Sequence, residues 1–92
     1  MTVTVRVVVS GRVQGVWYRA WTEKTARGLG LAGWVRNRRD GSVEAVLSGD
    51  AATVEDMIDR LWEGPDLAAV KAVDRFEHSE AVGPGFEVRP TA

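Results

Sequence analysis

The residues with the clearest capacity for chemistry run from Ser10 to Arg19, Ser-Gly-Arg-Val-Gln-Gly-Val-Trp-Tyr-Arg. They follow a run of valines and lead into a helical pattern, so the stretch reads as strand end, glycine-punctuated loop and helix start. A helix N-terminus leaves backbone N–H groups without intrahelical partners, and its dipole adds partial positive charge. Gly11 and Gly15 permit positive φ and close backbone approach, so the N–H groups between them can converge on an oxyanion. Arg19 falls in the first helical turn, where a lone cation opposes the dipole unless an anion sits between them. Its planar fork can hold two phosphate oxygens at once, which a lysine cannot do. On spacing alone, a loop that binds nothing and a solvated arginine fit equally well.

Several kinds of phosphate chemistry are excluded. No Gly-Lys-Ser/Thr ending makes a nucleotide P-loop, and Gly11 and Gly15 do not form the G-x-G-x-x-G dinucleotide pattern. The chain has no cysteine, so a thiol nucleophile, a thiolate metal site and disulfides are all ruled out. His78 is the single histidine, and no His/Asp/Glu cluster has ligand spacing; neither metal nor cofactor is expected. A second polar candidate is Asn37, whose amide offers both a donor and an acceptor to a water molecule. Arg36, Arg38 and Arg39 flank it and read as solvated edge charges that help draw in an anion. Asn37 also suits a turn start, since strands disfavour asparagine.

The elements that must position these residues follow from hydrophobic period. Val3 to Val9 alternates, with Val3, Val5, Val7 and Val9 on one face, which predicts a half-buried strand. From about Tyr18 the period is helical, with Tyr18, Thr22, Thr25 and Leu29 on one stripe, until Gly28 and Gly30 stop it. Gly33 to Arg38 and Ser42 to Ser48 read as strands of a hairpin turned by Arg39-Asp40-Gly41. Asp50 is placed to cap a second helix with Val54, Met57, Ile58, Leu61 and Trp62 as its apolar stripe, ended by Gly64-Pro65. Ala69 to Glu77 is a further strand, with Val70, Ala72 and Phe76 contributing to the buried surface, and Phe86 to Arg89 closes the chain. The order β-α-β-β-α-β plus a short C-terminal strand predicts an α+β, ferredoxin-like two-layer sandwich. Its sheet would be antiparallel, with both helices on one face.

At 92 residues the chain is expected to be one domain, residues 1–92. A net charge of −1 gives no field directed at nucleic acid or an anionic membrane. No apolar run approaches the roughly 20 residues of a membrane span, and the N-terminus lacks a signal peptide's basic start, so a cytoplasmic monomer is the expectation. The tryptophans at 17, 21, 34 and 62 raise the possibility of an RNA-binding sheet. Against it, Trp21 and Trp62 belong with the core by their spacing, and no basic patch or RNP-type strand is present.

Two stretches together carry a resemblance. Gly11-Arg-Val-Gln-Gly-Val-Trp-Tyr-Arg19 resembles the G-R-V-Q-G-V-x-F-R signature of the acylphosphatase family. Gly33-Trp-Val-Arg-Asn-Arg-Arg-Asp-Gly-Ser-Val-Glu44 resembles its second signature, G-W-V-x-N-x-x-D-G-S-V-E. The resemblance implies metal-free hydrolysis of the carboxyl–phosphate anhydride of small acylphosphates to carboxylate and inorganic phosphate. It places the phosphate-holding arginine at Arg19 and the water-orienting asparagine at Asn37, and it assigns the backbone cradle to Arg12, Val13, Gln14, Gly15 and Val16, running on towards Arg19. Tyr18 stands where Phe is usual, adding a hydroxyl that needs a partner if buried. Trp17 occupies a variable position that is more often small. The alternative is a non-catalytic module of the same fold that binds an anion or a partner protein.

Overall fold

Valine alternation and two amphipathic stripes produce two layers in the computed structural model, which describes residues 1–92. The elements are β1 (Thr2–Arg12), α1 (Tyr18–Gly28), β2 (Ala32–Asn37), β3 (Val43–Asp50), α2 (Ala51–Glu63), β4 (Ala69–Glu77) and β5 (Phe86–Val88). The sheet order is β4-β1-β3-β2-β5, and β1 pairs with β3 and β4, and β2 with β3, in antiparallel fashion. β5 lies parallel to β2, with Gly33 opposite Phe86, so the sheet is mixed rather than wholly antiparallel. The direction follows from the path. β4 runs opposite to β1, and a loop crossing the same end of the sheet delivers β5 running the same way as β2.

Val7 and Val9 of β1, Val35 of β2, and Val43, Ala45 and Leu47 of β3 are buried together with Tyr18, Ala26, Val54, Met57 and Leu61 of the helices. Each of the valine, leucine and methionine side chains among them contributes about 1.5–3 kcal/mol by leaving water. Asp50 caps α2 as its position suggests, accepting the Ala52 N–H at 3.2 Å. Trp21 packs against the core, its ring centroid 5.5 Å from that of Tyr18. Trp62 does not belong to the core. It remains 49% exposed because Val54, Met57, Ile58 and Leu61 fill the buried stripe and leave position 62 at its edge.

The register between β1 and β4 shifts between Ser10 and Gly11. Gly11 has φ 118, and a Cβ there would come within 2.3 Å of the Ala69 carbonyl oxygen, so the strands approach this closely only over glycine. The shift puts both Val70 and Val73 against the core. Ala72 and Phe76 instead pair with Ser10 and Arg6 and face away from the helices, which corrects the expectation that they line the buried surface. Phe76 is exposed there with the Arg6 guanidinium 4.4 Å from its ring.

That open face is organised around a buried carboxylate. Glu44 accepts from Arg6 at 3.0 Å and from Arg36 at 2.7 Å. The Arg36 and Arg89 guanidiniums each stand 4.7 Å from the Trp34 ring. Arg36 is therefore a fixed part of the sheet, not a solvated edge charge.

Candidate active site

The loop from Val13 to Trp17 turns the chain from the end of β1 into α1. No backbone N–H of these residues donates to another backbone group, and the first-turn N–H groups of Tyr18, Arg19 and Ala20 have no partner four residues back. Gly15 and Trp17 take left-handed φ values of 73 and 66, which aims successive N–H groups out of the chain's path. Trp17 occupies the N-cap position of α1 and makes no side-chain cap bond, so those N–H groups stay free. The buried side chains of Val13 and Val16 anchor the loop to the core.

Arg19 lies in the first turn of α1, half-buried, and takes part in none of the chain's ion pairs. Asn37 is the last residue of β2. Its main-chain carbonyl accepts the Ala92 N–H at 3.0 Å, while its side-chain Oδ1 is buried with no hydrogen-bond partner. A buried amide oxygen left without a donor is costly, and native structures rarely keep one unless something else supplies the donor.

Arg19 and Asn37 line one cavity of about 450 Å³, together with Val13, Gly15, Trp17, Tyr18, Ala20, Glu23 and Val88. Residues 18 places apart in the sequence thus meet at one opening between the α1 N-terminus and the end of β2. Glu23, the one carboxylate on the wall, faces Arg27 at 3.2 Å. Arg12, Gln14 and Val16 do not line the cavity. Arg12 ends β1 opposite Ala69, and Val16 points into the core, so only their main chains are available to a cradle.

Gln14 has a role that its sequence position does not reveal. Its Nε2 donates to the carbonyls of Arg38, at 2.7 Å, and Ser42, at 2.8 Å, bridging the loop to the hairpin that follows Asn37. The hairpin has its own brace. Asp40 Oδ1 accepts from the Ser42 N–H at 2.9 Å and its hydroxyl at 2.6 Å, and these bonds hold the Asp40 carboxyl below the usual carboxylate range. The Tyr18 hydroxyl also finds a partner, donating to the Leu61 carbonyl at 2.5 Å, and burial pushes its ionisation up.

Comparison with known proteins decides the family. The acylphosphatase family model matches residues 5–88. The chain belongs to the acylphosphatase family. It is 51% identical to an acylphosphatase of Rhizorhabdus wittichii over 94% of this chain and 87% of that one. An acylphosphatase of Rhodospirillum rubrum is 50% identical over 96% of this chain and 97% of that one. Among solved structures, an acylphosphatase from Coxiella burnetii superposes with a TM-score of 0.91 at 40% identity, covering 96% of this chain and 93% of that chain. The family's fold accounts for the two helices on one face and for the β-α-β-β-α-β order seen here. Both signature stretches, residues 11–19 and 33–44, fall on the elements that border the cavity.

Proposed function

We propose that this cavity performs acylphosphate hydrolysis, the reaction of the family to which the chain belongs, by direct attack of water on phosphorus. The main-chain N–H groups of Arg12 to Val16, continuing to Arg19, cradle the phosphoryl oxygens. The Arg19 guanidinium holds two of them and stabilises the charge that builds on them in the transition state. Asn37 orients the nucleophile, its Oδ1 accepting from the water and so acquiring the donor it otherwise lacks. The water oxygen bonds to phosphorus as the bond between phosphorus and the acyl oxygen breaks, and its electron pair leaves on the carboxylate. A carboxylate leaving group needs no proton at neutral pH, with its ordinary pKa near about 4. The proton of the attacking water passes to a phosphoryl oxygen of the substrate, because Glu23 is engaged by Arg27. No step calls for a metal or cofactor. The setting is a cytoplasmic monomer; no helix of the chain is long and apolar enough to cross a membrane.

The observation that carries this reading is that Asn37, whose side-chain Oδ1 has no partner, lines the same cavity as an arginine that has no carboxylate partner. Benzoyl phosphate turnover and inhibition by inorganic phosphate test it together. Arg19→Ala is expected to lose both turnover and phosphate inhibition. Asn37→Ala should keep phosphate inhibition while kcat falls by about 100-fold or more, the usual scale for losing one transition-state contact. An Asn37→Ala enzyme with normal kcat would remove the water-orienting role. Chelator should leave turnover unchanged.

A further inference from the structure

Position 17 imposes two local demands, and tryptophan answers neither of them cheaply. The backbone there is left-handed at φ 66, a conformation that glycine adopts freely and a bulky side chain resists. The position is also the N-cap of α1, where Ser, Thr, Asp or Asn would ordinarily be favoured. A capping side chain would occupy an N–H that the cradle needs free, so glycine is the residue that backbone and cap together call for. The indole is 78% exposed and joins neither the buried core cluster nor any ring–ring or cation–ring pair. Nothing in the packing of the fold accounts for it.

The cavity does. Trp17 lines the same opening as Arg19 and Asn37, and the wall there also includes Ala20 and Val88, the latter 40% exposed. Arg19 is the sole cation on that wall, and the one carboxylate, Glu23, is turned to Arg27. Once Arg19 is committed to the phosphoryl group, no cation remains to hold a second anionic group on the substrate. What remains beside the cradle is a flat, apolar, water-exposed surface. Aromatic faces of this kind stack on other flat apolar groups and gain most from those with extended π surface.

We propose that Trp17, with Val88 and Ala20, is the acyl-group subsite, and that it selects acylphosphates whose acyl group is flat and apolar, aromatic above all, over short or anionic ones. This specificity rests on the acylphosphate reading of the cavity given above. Trp17 acts on the acyl half of the substrate, while the cradle and Arg19 act on the phosphoryl half. Replacing Trp17 therefore changes discrimination between acyl groups and leaves recognition of the phosphoryl group in place.

The test compares kcat/KM for benzoyl phosphate and acetyl phosphate in the wild type, Trp17→Ala and Trp17→Phe, with the Ki of inorganic phosphate measured alongside. The benzoyl-to-acetyl ratio should fall about tenfold in Trp17→Ala, as expected for a lost aromatic contact, and remain within about threefold of wild type in Trp17→Phe. The phosphate Ki should stay within about twofold throughout, since phosphate carries no acyl group. The smaller side chain should unfold the protein at no lower urea concentration, as the indole is mostly in water. An unchanged ratio in Trp17→Ala overturns the subsite. So does a ratio that falls only in step with a weakened phosphate Ki, because Trp17 would then act through the cradle. A wild type that cleaves neither substrate would overturn the acylphosphate reading itself, a different result from one that cleaves both without dependence on Trp17.

Discussion

Tyr18→Phe isolates one hydrogen bond between the two helices, and the structure fixes what its loss should cost. Leu61 lies in the last turn of α2, and the residue four places on, which would donate to its carbonyl in a continuing helix, is Pro65. Proline has no N–H, so the Leu61 carbonyl would go without a donor. The Tyr18 hydroxyl supplies it at 2.5 Å, in a site where the ring is only 1% exposed. Phenylalanine keeps the ring and its packing but leaves a buried carbonyl without a donor. That costs about 2 kcal/mol, within the range for orphaning one buried polar group. For a chain of this size the melting temperature should drop by about 8–16 °C.

The pH dependence gives the same bond a second signature. Burial raises the ionisation of Tyr18 in the folded protein above its ordinary value of 10.0. A group whose folded pKa is raised contributes its full stability below the unfolded value and loses it as pH rises beyond that point. Above about pH 10 the wild type should therefore lose about 1.4 kcal/mol per pH unit from this residue, while Tyr18→Phe, with nothing to ionise, does not. The difference between the two proteins, measured by urea unfolding across pH 7 to 12, should be about 2 kcal/mol at neutrality and close near about pH 11.5. A variant within about 0.5 kcal/mol of wild type at pH 7 would mean that the carbonyl is otherwise satisfied. A gap that stays constant above pH 10 would refute the assignment of the buried hydroxyl.

Gln14→Leu removes both bonds from the loop to the hairpin, while the Arg38 and Ser42 carbonyls keep their own backbone donors, Gly41 and Arg38. Unfolding by urea should show a loss of only about 1–2 kcal/mol, yet kcat for benzoyl phosphate should fall several-fold because the cradle and Asn37 are no longer braced against each other. Gln14→Glu should be worse than Gln14→Leu in both respects at neutral pH, since it sets a carboxylate against two carbonyl oxygens. Burial by itself would raise the Glu44 carboxyl, but the bonds from Arg36 and Arg6 outweigh it and hold the group below its ordinary value of 4.5. Its stabilisation is therefore present above that value and lost as pH falls. Glu44→Gln should cost about 2 kcal/mol at pH 7, and in acid unfolding curves the gap between the two proteins should shrink as pH falls below 4.5.

How much of this was legible in the sequence depends on how local the cause is. The loop and its unpartnered N–H groups could be read because their causes are neighbours: two glycines and a helix start all lie within residues 11–19. The Asp50 cap and the α2 stripe through Leu61 are local in the same sense. What escaped reading acts across the chain. The parallel course of β5 depends on which end of the sheet the segment after β4 crosses. The outward turn of Ala72 and Phe76 depends on a shift opposite Gly11, some 60 residues earlier. The Gln14 bridge spans 24 residues and shows in the sequence only as a polar side chain among valines.

The candidate site itself joins both kinds of cause. The half proposed to bind the anion is a local object that a strand–loop–helix can make almost anywhere. The half proposed to hold the water is one side chain at the end of β2, aimed by the pairing of Asn37 with Val43. Because side chains alternate faces along a strand, a one-residue slip of β2 against β3 would send Asn37 to the open face, the side on which Glu44 lies, and away from the cavity. Register is held by the burial of Val35, Val43, Ala45 and Leu47 on the other side. The hydrophobic alternation that looks least specific in the sequence is therefore what keeps the asparagine in the cavity with Arg19. On the proposed mechanism, a cradle without that register would still bind phosphate, but it would have no means of placing a water against phosphorus.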